Sequence, residues 1–299
     1  MHQRQFLSYH AADRFRDRSI LITDAKGALV GVFPAAIVVD NGQTLWKSHP
    51  GASYGGLVVR SDFASIADSL IEQLVSYARS NHFDAIWLRP AERVFQRHAS
   101  DDLDAALFRA GFQLIGRELS SAVNLRTSDE HALLAAYHPN PRNSVVQARR
   151  RGITARISDD FPAYWELLRS NLESRHGVHP THTLAEIESL RQRFGNRIFL
   201  VGGYLENQLV AGTVVFMMNT VAAHTMYMAQ DYRFNEHQAL PMVIYQALVE
   251  CRARGLHTLN FGISTRPGSL GMELNAGLHA FKRRCGGQAV FREIWQWTQ

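Results

Sequence analysis

The sequence predicts an α/β fold in which one strand–helix–strand arrangement occurs twice. The 299 residues exceed the usual size of a single domain, which suggests two domains of about 150 residues each. Strand and helix patterns alternate in both halves of the chain. Two short segments, Leu29–Gly31 and Leu209–Gly212, also have nearly the same sequence, LVG and LVAG. We therefore interpret the chain as a duplicated α/β unit.

In the first half, turn-forming residues separate short apolar segments. The turns Asp24–Gly27 and Asp40–Gly42 are typical of hairpins. Apolar residues at helical spacing then follow Asp62, which is a suitable N-cap. The predicted elements are strands at Ile20–Thr23, Ala28–Val39 and Thr44–Lys47, a helix at Phe63–Arg79, and a strand at Ala85–Leu88.

The second half repeats this order. Glu206 and Asn207 are placed at a hairpin turn, and Gly255 is suited to end a helix with a long apolar face. The predicted elements are strands at Ile198–Val201, Leu209–Met218 and Ala222–Ala229, a helix at Ala239–Arg254, and a strand at Leu256–Phe261.

A helical region separates the two halves. It comprises a basic segment at Arg142–Gly152, an amphipathic helix at Phe161–Arg175, and a helix that a Thr183–Glu186 capping box opens. His138–Pro141 cannot continue a helix, so we place the domain boundary there. The predicted domains are residues 1–140 and 141–299, with the C-terminal end able to return to the first domain.

Composition restricts the class of protein. The net charge of +5 favours anionic partners without identifying one. The polar start of the chain and the lack of a long apolar segment argue against a signal peptide or a membrane helix. Of the two cysteines, Cys251 is predicted in a core, whereas Cys285 is either a spacer or a surface thiol. We therefore expect a cytoplasmic protein without disulfides.

Four segments in this order resemble the Fem-type (FemABX, FemAB-like and BioF2-like) aminoacyltransferases. They are the Gly-rich stretch His49–Gly56, the basic segment from Arg142 to Gly152, the helix and strand at 239–264 (ALPMVIYQALVECRARGLHTLNFGIS), and the segment 277–287 (GLHAFKRRCGG). The resemblance covers nearly the whole chain. The stretch between Phe194 and Ile198 is too short for the coiled-coil arm that some members carry.

This resemblance implies tandem GNAT-like (acyl-CoA N-acyltransferase-like) domains, with mixed sheets and a cleft between the domains. It also implies transfer of an activated acyl group, often an aminoacyl group from aminoacyl-tRNA, onto a primary amine. In the Fem enzymes that amine belongs to a peptidoglycan precursor.

The residues themselves leave three interpretations of the function open. The segment at 232–241, where GNAT enzymes bind the CoA pyrophosphate, has no glycine, and Glu236 would repel phosphate. This favours aminoacyl-tRNA as donor, with no cofactor. A CoA-dependent N-acyltransferase and a non-catalytic binding module are the alternatives.

Lys282 is the predicted catalytic residue. Its position in the Phe-Lys pair of the family implies contact with a donor phosphate or with charge on the tetrahedral intermediate. The alternative is a solvated cation at a helix end. The adjoining Phe281 and the junction residue Arg142 are predicted to bind substrate, although packing is the alternative for Phe281.

The other predicted substrate-binding residues are Tyr227, Asp84, Tyr54 and His176. Tyr227, Asp84 and His224 lie on or beside strands of the two halves, where an edge or core position is the alternative. His176, His179 and His182 share a segment that Gly177 and Pro180 prevent from being helical, so a polar loop is expected, not a metal site. No Gly-x-Ser-x-Gly elbow occurs. We therefore expect direct attack of an amine on an activated ester or thioester.

Overall fold

The computed structural model describes residues 1–11, 13–60, 65–97, 100–127 and 129–299, with the side chain of His176 excluded. In chain order, its helices are α1 (Arg4–Leu7), α2 (Ala67–Ser80), α3 (Asp102–Arg109), α4 (Glu130–Ala135), α5 (Pro139–Arg150), α6 (Phe161–His176), α7 (Leu184–Phe194), α8 (Ala239–Ala253) and α9 (Ala276–Arg284). Its strands are β1 (Arg16–Asp17), β2 (Ile20–Thr23), β3 (Leu29–Phe33), β4 (Ala35–Asp40), β5 (Gln43–Ser48), β6 (Val58–Val59), β7 (Ala85–Leu88), β8 (Gln113–Asn124), β9 (Ile153–Ser158), β10 (Ile198–Leu205), β11 (Gln208–Met217), β12 (Ala222–Gln230), β13 (Thr258–Ile263) and β14 (Gln288–Thr298).

The chain forms two compact units. Unit 1 contains residues 1–119, 265–273 and 291–299, and unit 2 contains residues 120–264 and 274–290. The first segment of unit 1 therefore ends at Leu119, and unit 2 begins at Ser120. The boundary predicted from the sequence follows residue 140. The C-terminal end of the chain lies in unit 1.

Unit 1 has a mixed sheet in the order β1-β4-β5-β7-β14 and a small sheet in the order β2-β3-β6. Within the mixed sheet β5 and β7 are parallel, and α2 lies in the crossover that such a pair needs. Helix α2 packs its apolar side, including Leu70 and Leu74, on Trp46 and Ile86. The predicted helix start at Phe63 and cap at Asp62 lie outside the described residues.

Unit 2 has a mixed sheet in the order β9-β10-β11-β12-β13-β8. Strands β12 and β13 are parallel and are connected by α8, whose apolar residues enter the main core of the unit. At Gly212 of β11, a Cβ atom would lie 2.5 Å from the Tyr164 ring, so glycine permits the close approach of α6. The Thr183–Glu186 capping box is present at the start of α7.

Three local details differ from the sequence predictions or complete them. The predicted strand Ala28–Val39 is divided at Pro34 into β3 and β4, because proline cannot donate a ladder hydrogen bond. Helix α5 begins at Pro139, since proline is tolerated in a first helical turn. Cys251 and Cys285 are both buried, and burial raises the pKa of each thiol to about 12. Within the described part of the chain, no helix is both long and apolar enough to cross a bilayer.

Candidate active site

The parallel strands β12 and β13 are paired over only part of their length. The pairs run from Ala222 and Thr258 to His224 and Asn260, although β12 continues to Gln230. Beyond Asn260, the register of β13 against β8 shifts, and Gly262 has φ of +75°, a conformation that favours glycine. The strands therefore separate at their carboxyl ends, which is where α/β proteins commonly bind ligands.

Asn260 organises this separation point. Its side-chain oxygen accepts hydrogen bonds from the Ser120 hydroxyl at 3.1 Å, His224 Nδ1 at 3.2 Å and the Gly262 amide at 2.5 Å. Thr225 Oγ1 donates to the Asn260 carbonyl at 3.4 Å. Asn260 and Ser120 are completely buried, so this is a polar cluster inside the core, which we call the Asn260 cluster.

The hydrogen bonds of the Asn260 cluster define the tautomer of His224. A carboxamide oxygen carries no hydrogen, so His224 Nδ1 must donate the bond between them. In the neutral ring, Nε2 then carries the lone pair and is the nitrogen able to accept a proton. His224 is half-buried at the point where the strands separate. The site thus holds an oriented proton acceptor, the arrangement that general-base catalysis needs.

Two buried serines lie at the end of β13 and within its neighbour β8. Ser264 directly follows β13, and Ser121 directly follows Ser120 in β8. Neither hydroxyl has a hydrogen-bond partner among the residues that the structure describes. Buried polar groups are usually paired, so unpaired hydroxyls are suited to bind a polar group of a ligand.

Lys282 is buried in the last turn of α9, with 2% of its surface exposed. Its ammonium donates to the carbonyl oxygens of Gly262 at 2.9 Å and Ile263 at 2.7 Å. These carbonyls belong to the segment of β13 that leaves the parallel pair. Lys282 therefore fixes the shape of the strand next to the Asn260 cluster; its predicted catalytic role stays a prediction.

Tyr227 connects β12 to the loop before α7. Its hydroxyl accepts from the His182 amide at 3.1 Å and also shares a hydrogen bond with His182 Nδ1 at 2.6 Å. The ring packs edge-on against Trp165, and burial raises the pKa of Tyr227 to about 12. These contacts hold the loop on the strand.

The other predicted residues of unit 2 occupy separate positions. Phe281 packs against the core of the unit. Arg142 is exposed near the start of α5. His176 ends α6, and its side chain lies outside the described residues. In the same loop, His179 Nδ1 lies 3.1 Å from Glu173, so His179 and His182 have different partners.

The two predicted residues of unit 1 both have structural partners. Tyr54 is buried and stacks on Phe95 with ring centroids 5.2 Å apart, and burial raises the pKa of its hydroxyl. Asp84 is exposed before β7 and accepts a hydrogen bond from the Thr44 amide at 2.6 Å. It thereby fixes the start of the parallel strand pair.

Sequence reasoning missed Asn260, Ser120 and Thr225. A signal was available for Asn260, because an amide between Leu259 and Phe261 in a predicted apolar strand is unusual. Sequence cannot supply the pairing that brings Asn260 and Ser120 to His224, since they lie on two other strands.

Comparison with known proteins identifies the fold. Residues 139–283 match a family described as an acetyltransferase (GNAT) domain. No curated protein matches the chain. The solved structure of FemX is similar over 100% of this chain and 92% of its own, with a TM-score of 0.75 and 15% identity.

Two further solved structures have the same fold. One is the C-terminal domain (DUF2156) of a putative lysylphosphatidylglycerol synthetase from Agrobacterium fabrum, with a TM-score of 0.61, 11% identity, and coverage of 93% of this chain and 83% of that chain. The other is L-PGS from Bacillus licheniformis, with a TM-score of 0.57, 12% identity, and coverage of 95% and 84%. The predicted Fem-like tandem GNAT fold is confirmed.

Proposed function

We propose that this protein transfers an aminoacyl group from aminoacyl-tRNA onto a primary amine of a cell-envelope precursor. The observation that carries the proposal is the oriented His224 in the Asn260 cluster, at the open end of β12 and β13. The similar structures named for FemX and for a putative lysylphosphatidylglycerol synthetase support the aminoacyl and envelope parts.

The chemistry requires few groups from the protein. The acceptor amine attacks the carbonyl carbon of the aminoacyl ester, and His224 Nε2 takes the proton that the amine loses. The ester C–O bond then breaks, and the imidazolium returns the proton to the departing ribose oxygen.

The segment that precedes α8 supports a tRNA donor over CoA. The segment before this helix contains no glycine, and the Glu236 carboxylate is exposed there. A carboxylate near a helix N-terminus opposes binding of a pyrophosphate. The CoA-dependent N-acyltransferase is the second candidate, because the matched domain is described as an acetyltransferase.

The test supplies both donors to the purified protein. A radiolabelled aminoacyl ester on an RNA acceptor-stem hairpin and, separately, acetyl-CoA are incubated with primary amines from peptides and amino sugars. We expect transfer from the RNA ester that ribonuclease abolishes. His224→Asn should bind the RNA and fail to transfer, whereas His131→Asn, at an exposed histidine of α4, should behave as wild type. Transfer from acetyl-CoA alone would replace this proposal with the CoA-dependent one.

A further inference from the structure

The second parallel strand pair, β5 and β7 of unit 1, ends in a group of cations. Lys47 lies opposite Trp87 in the last pair of the register. Arg89 follows Trp87 by two residues and therefore projects from the same face of the sheet. We call Lys47, Trp87 and Arg89 the cation cluster.

Both cations in the cluster contact the same indole. Lys47 Nζ lies 3.7 Å from the centroid of the Trp87 ring, and Arg89 Cζ lies 5.0 Å from it. Both side chains are partly buried. An aromatic face attracts a cation but gives it no hydrogen-bond acceptor of ordinary strength.

Neither cation has a conventional partner within the described ranges. The Lys47 ammonium and the Arg89 guanidinium make no hydrogen bond or ion pair there, and Arg89 Nε is fully buried. Burial and the proximity of Arg89 lower the pKa of Lys47, against an opposing effect of Asp40. Burial and the proximity of Arg292 lower the pKa of Arg89, against an opposing effect of Glu118. Burying unpaired like charges is costly, which indicates that an anion is the missing partner.

The carboxylate that acts on Arg89 is already paired with another cation. Glu118 and Arg292 are both buried and form an ion pair at 2.7 Å, and Arg292 also donates to the Ser53 carbonyl at 3.0 Å. This pair is neutral as a whole. Lys47 and Arg89 therefore remain as two positive charges, which together match a dianion.

The backbone of Arg89 is held rigidly. Its amide donates to the Ser48 hydroxyl at 3.0 Å, and its carbonyl accepts from the Gly55 amide at 2.9 Å. The same serine hydroxyl accepts from the Gly56 amide at 3.0 Å. The Gly-rich stretch His49–Gly56 thus fixes the strand end from which Arg89 projects, and a preorganised cation loses less entropy on binding.

We propose that the cation cluster is a binding site for a phosphoryl group of the substrate. Two fixed cations of different shape suit a phosphoryl dianion, since arginine binds two oxygens at once and lysine supplies a point charge. Only the assignment of the phosphoryl group to the substrate rests on the proposed function. Anion binding itself does not depend on it.

Calorimetric titration of the intact protein with inorganic pyrophosphate tests the site. Arg89→Gln and Lys47→Gln should each weaken pyrophosphate binding about tenfold or more, because each removes a charge-assisted interaction. The matched controls are Arg79→Gln, an exposed arginine that lies over Trp297 in the same unit, and Lys26→Gln, an exposed lysine. Both should bind like wild type.

The possible outcomes distinguish the anion site, its phosphoryl assignment and the proposed function. Equal binding by all five proteins, or no binding by wild type, would overturn the site. Succinate binding as tightly as pyrophosphate would overturn the phosphoryl assignment. Thermal unfolding of each variant identifies a folding defect, and if Arg89→Gln unfolds, Lys47→Gln alone decides. Pyrophosphate binding without any transfer activity would refute the proposed function but not this site. Transfer activity without pyrophosphate binding would refute this site but not the proposed function.

Discussion

Each unit contains a parallel β-α-β crossover, and the two crossovers carry different side chains at the end of the strand pair. In unit 1, β5, α2 and β7 form a parallel crossover with three residue pairs, from Leu45 and Ala85 to Lys47 and Trp87. In unit 2, β12, α8 and β13 form one with three pairs, from Ala222 and Thr258 to His224 and Asn260. The last pair in unit 1 therefore places the Lys47 cation on the Trp87 indole. The last pair in unit 2 places the His224 imidazole next to the Asn260 carboxamide.

Under the two proposals, the same parallel crossover serves two kinds of chemistry. Lys47 and Arg89 place two cations at the end of their strand pair, which suits binding of an anion. His224 instead places an imidazole at the end of its pair, oriented by Asn260. The supporting hydroxyls differ as well, because Ser48 accepts two backbone amides whereas Thr225 donates to one carbonyl.

The largest expected effect follows from removing the proton acceptor in unit 2. His224→Asn keeps an N–H donor for Asn260 but has no basic nitrogen, so the transfer rate should fall about 100-fold or more with RNA binding unchanged. Single-turnover rates and a separate RNA-binding titration check both points. A variant that keeps the wild-type transfer rate would remove His224 from the mechanism.

The next largest effect is expected at Lys282. Unlike the two cations of the cation cluster, its ammonium is hydrogen-bonded to backbone carbonyls. Lys282→Met keeps the length of the side chain and leaves the Gly262 and Ile263 carbonyls without their donor. The free energy of unfolding should fall by about 2 kcal/mol or more, as expected for buried unsatisfied acceptors. Urea unfolding measures it, with Lys26→Met as control.

The same variant distinguishes two roles of Lys282. Lost transfer together with lost stability fits a residue that positions the strand. Unchanged stability with lost transfer would instead support the catalytic role that the family resemblance implies.

Much of the fold could be predicted from local patterns. The Thr183 capping box and the apolar face of α8 depend on residues within one helix, and both are present. Strands β8 and β14 were missed, because each has its partners far away in the sequence. Lys282 could be singled out, but its burial could not, since the carbonyls it binds come from another element.

A smaller effect is expected at Ser48, the serine that supports the cation cluster. Ser48→Ala removes the acceptor for the Arg89 and Gly56 amides, which should lower the free energy of unfolding by about 1–3 kcal/mol. It should also weaken pyrophosphate binding, because the Arg89 backbone is no longer fixed. Chemical unfolding and calorimetry measure the two effects. Ser80→Ala, at an exposed serine that ends α2, is the control and should change neither.

The smallest effect is expected at Thr225, at the position in unit 2 that corresponds to Ser48. Thr225→Val keeps the shape of the side chain and removes one long hydrogen bond of 3.4 Å to the Asn260 carbonyl. The free energy of unfolding should fall by only about 0.5–1 kcal/mol, and the transfer rate should stay near wild type. A loss of transfer as large as that of His224→Asn would show that the strand end, and not the imidazole alone, sets the rate. Unit 2 would then depend on its backbone support as strongly as the cation cluster does on Ser48.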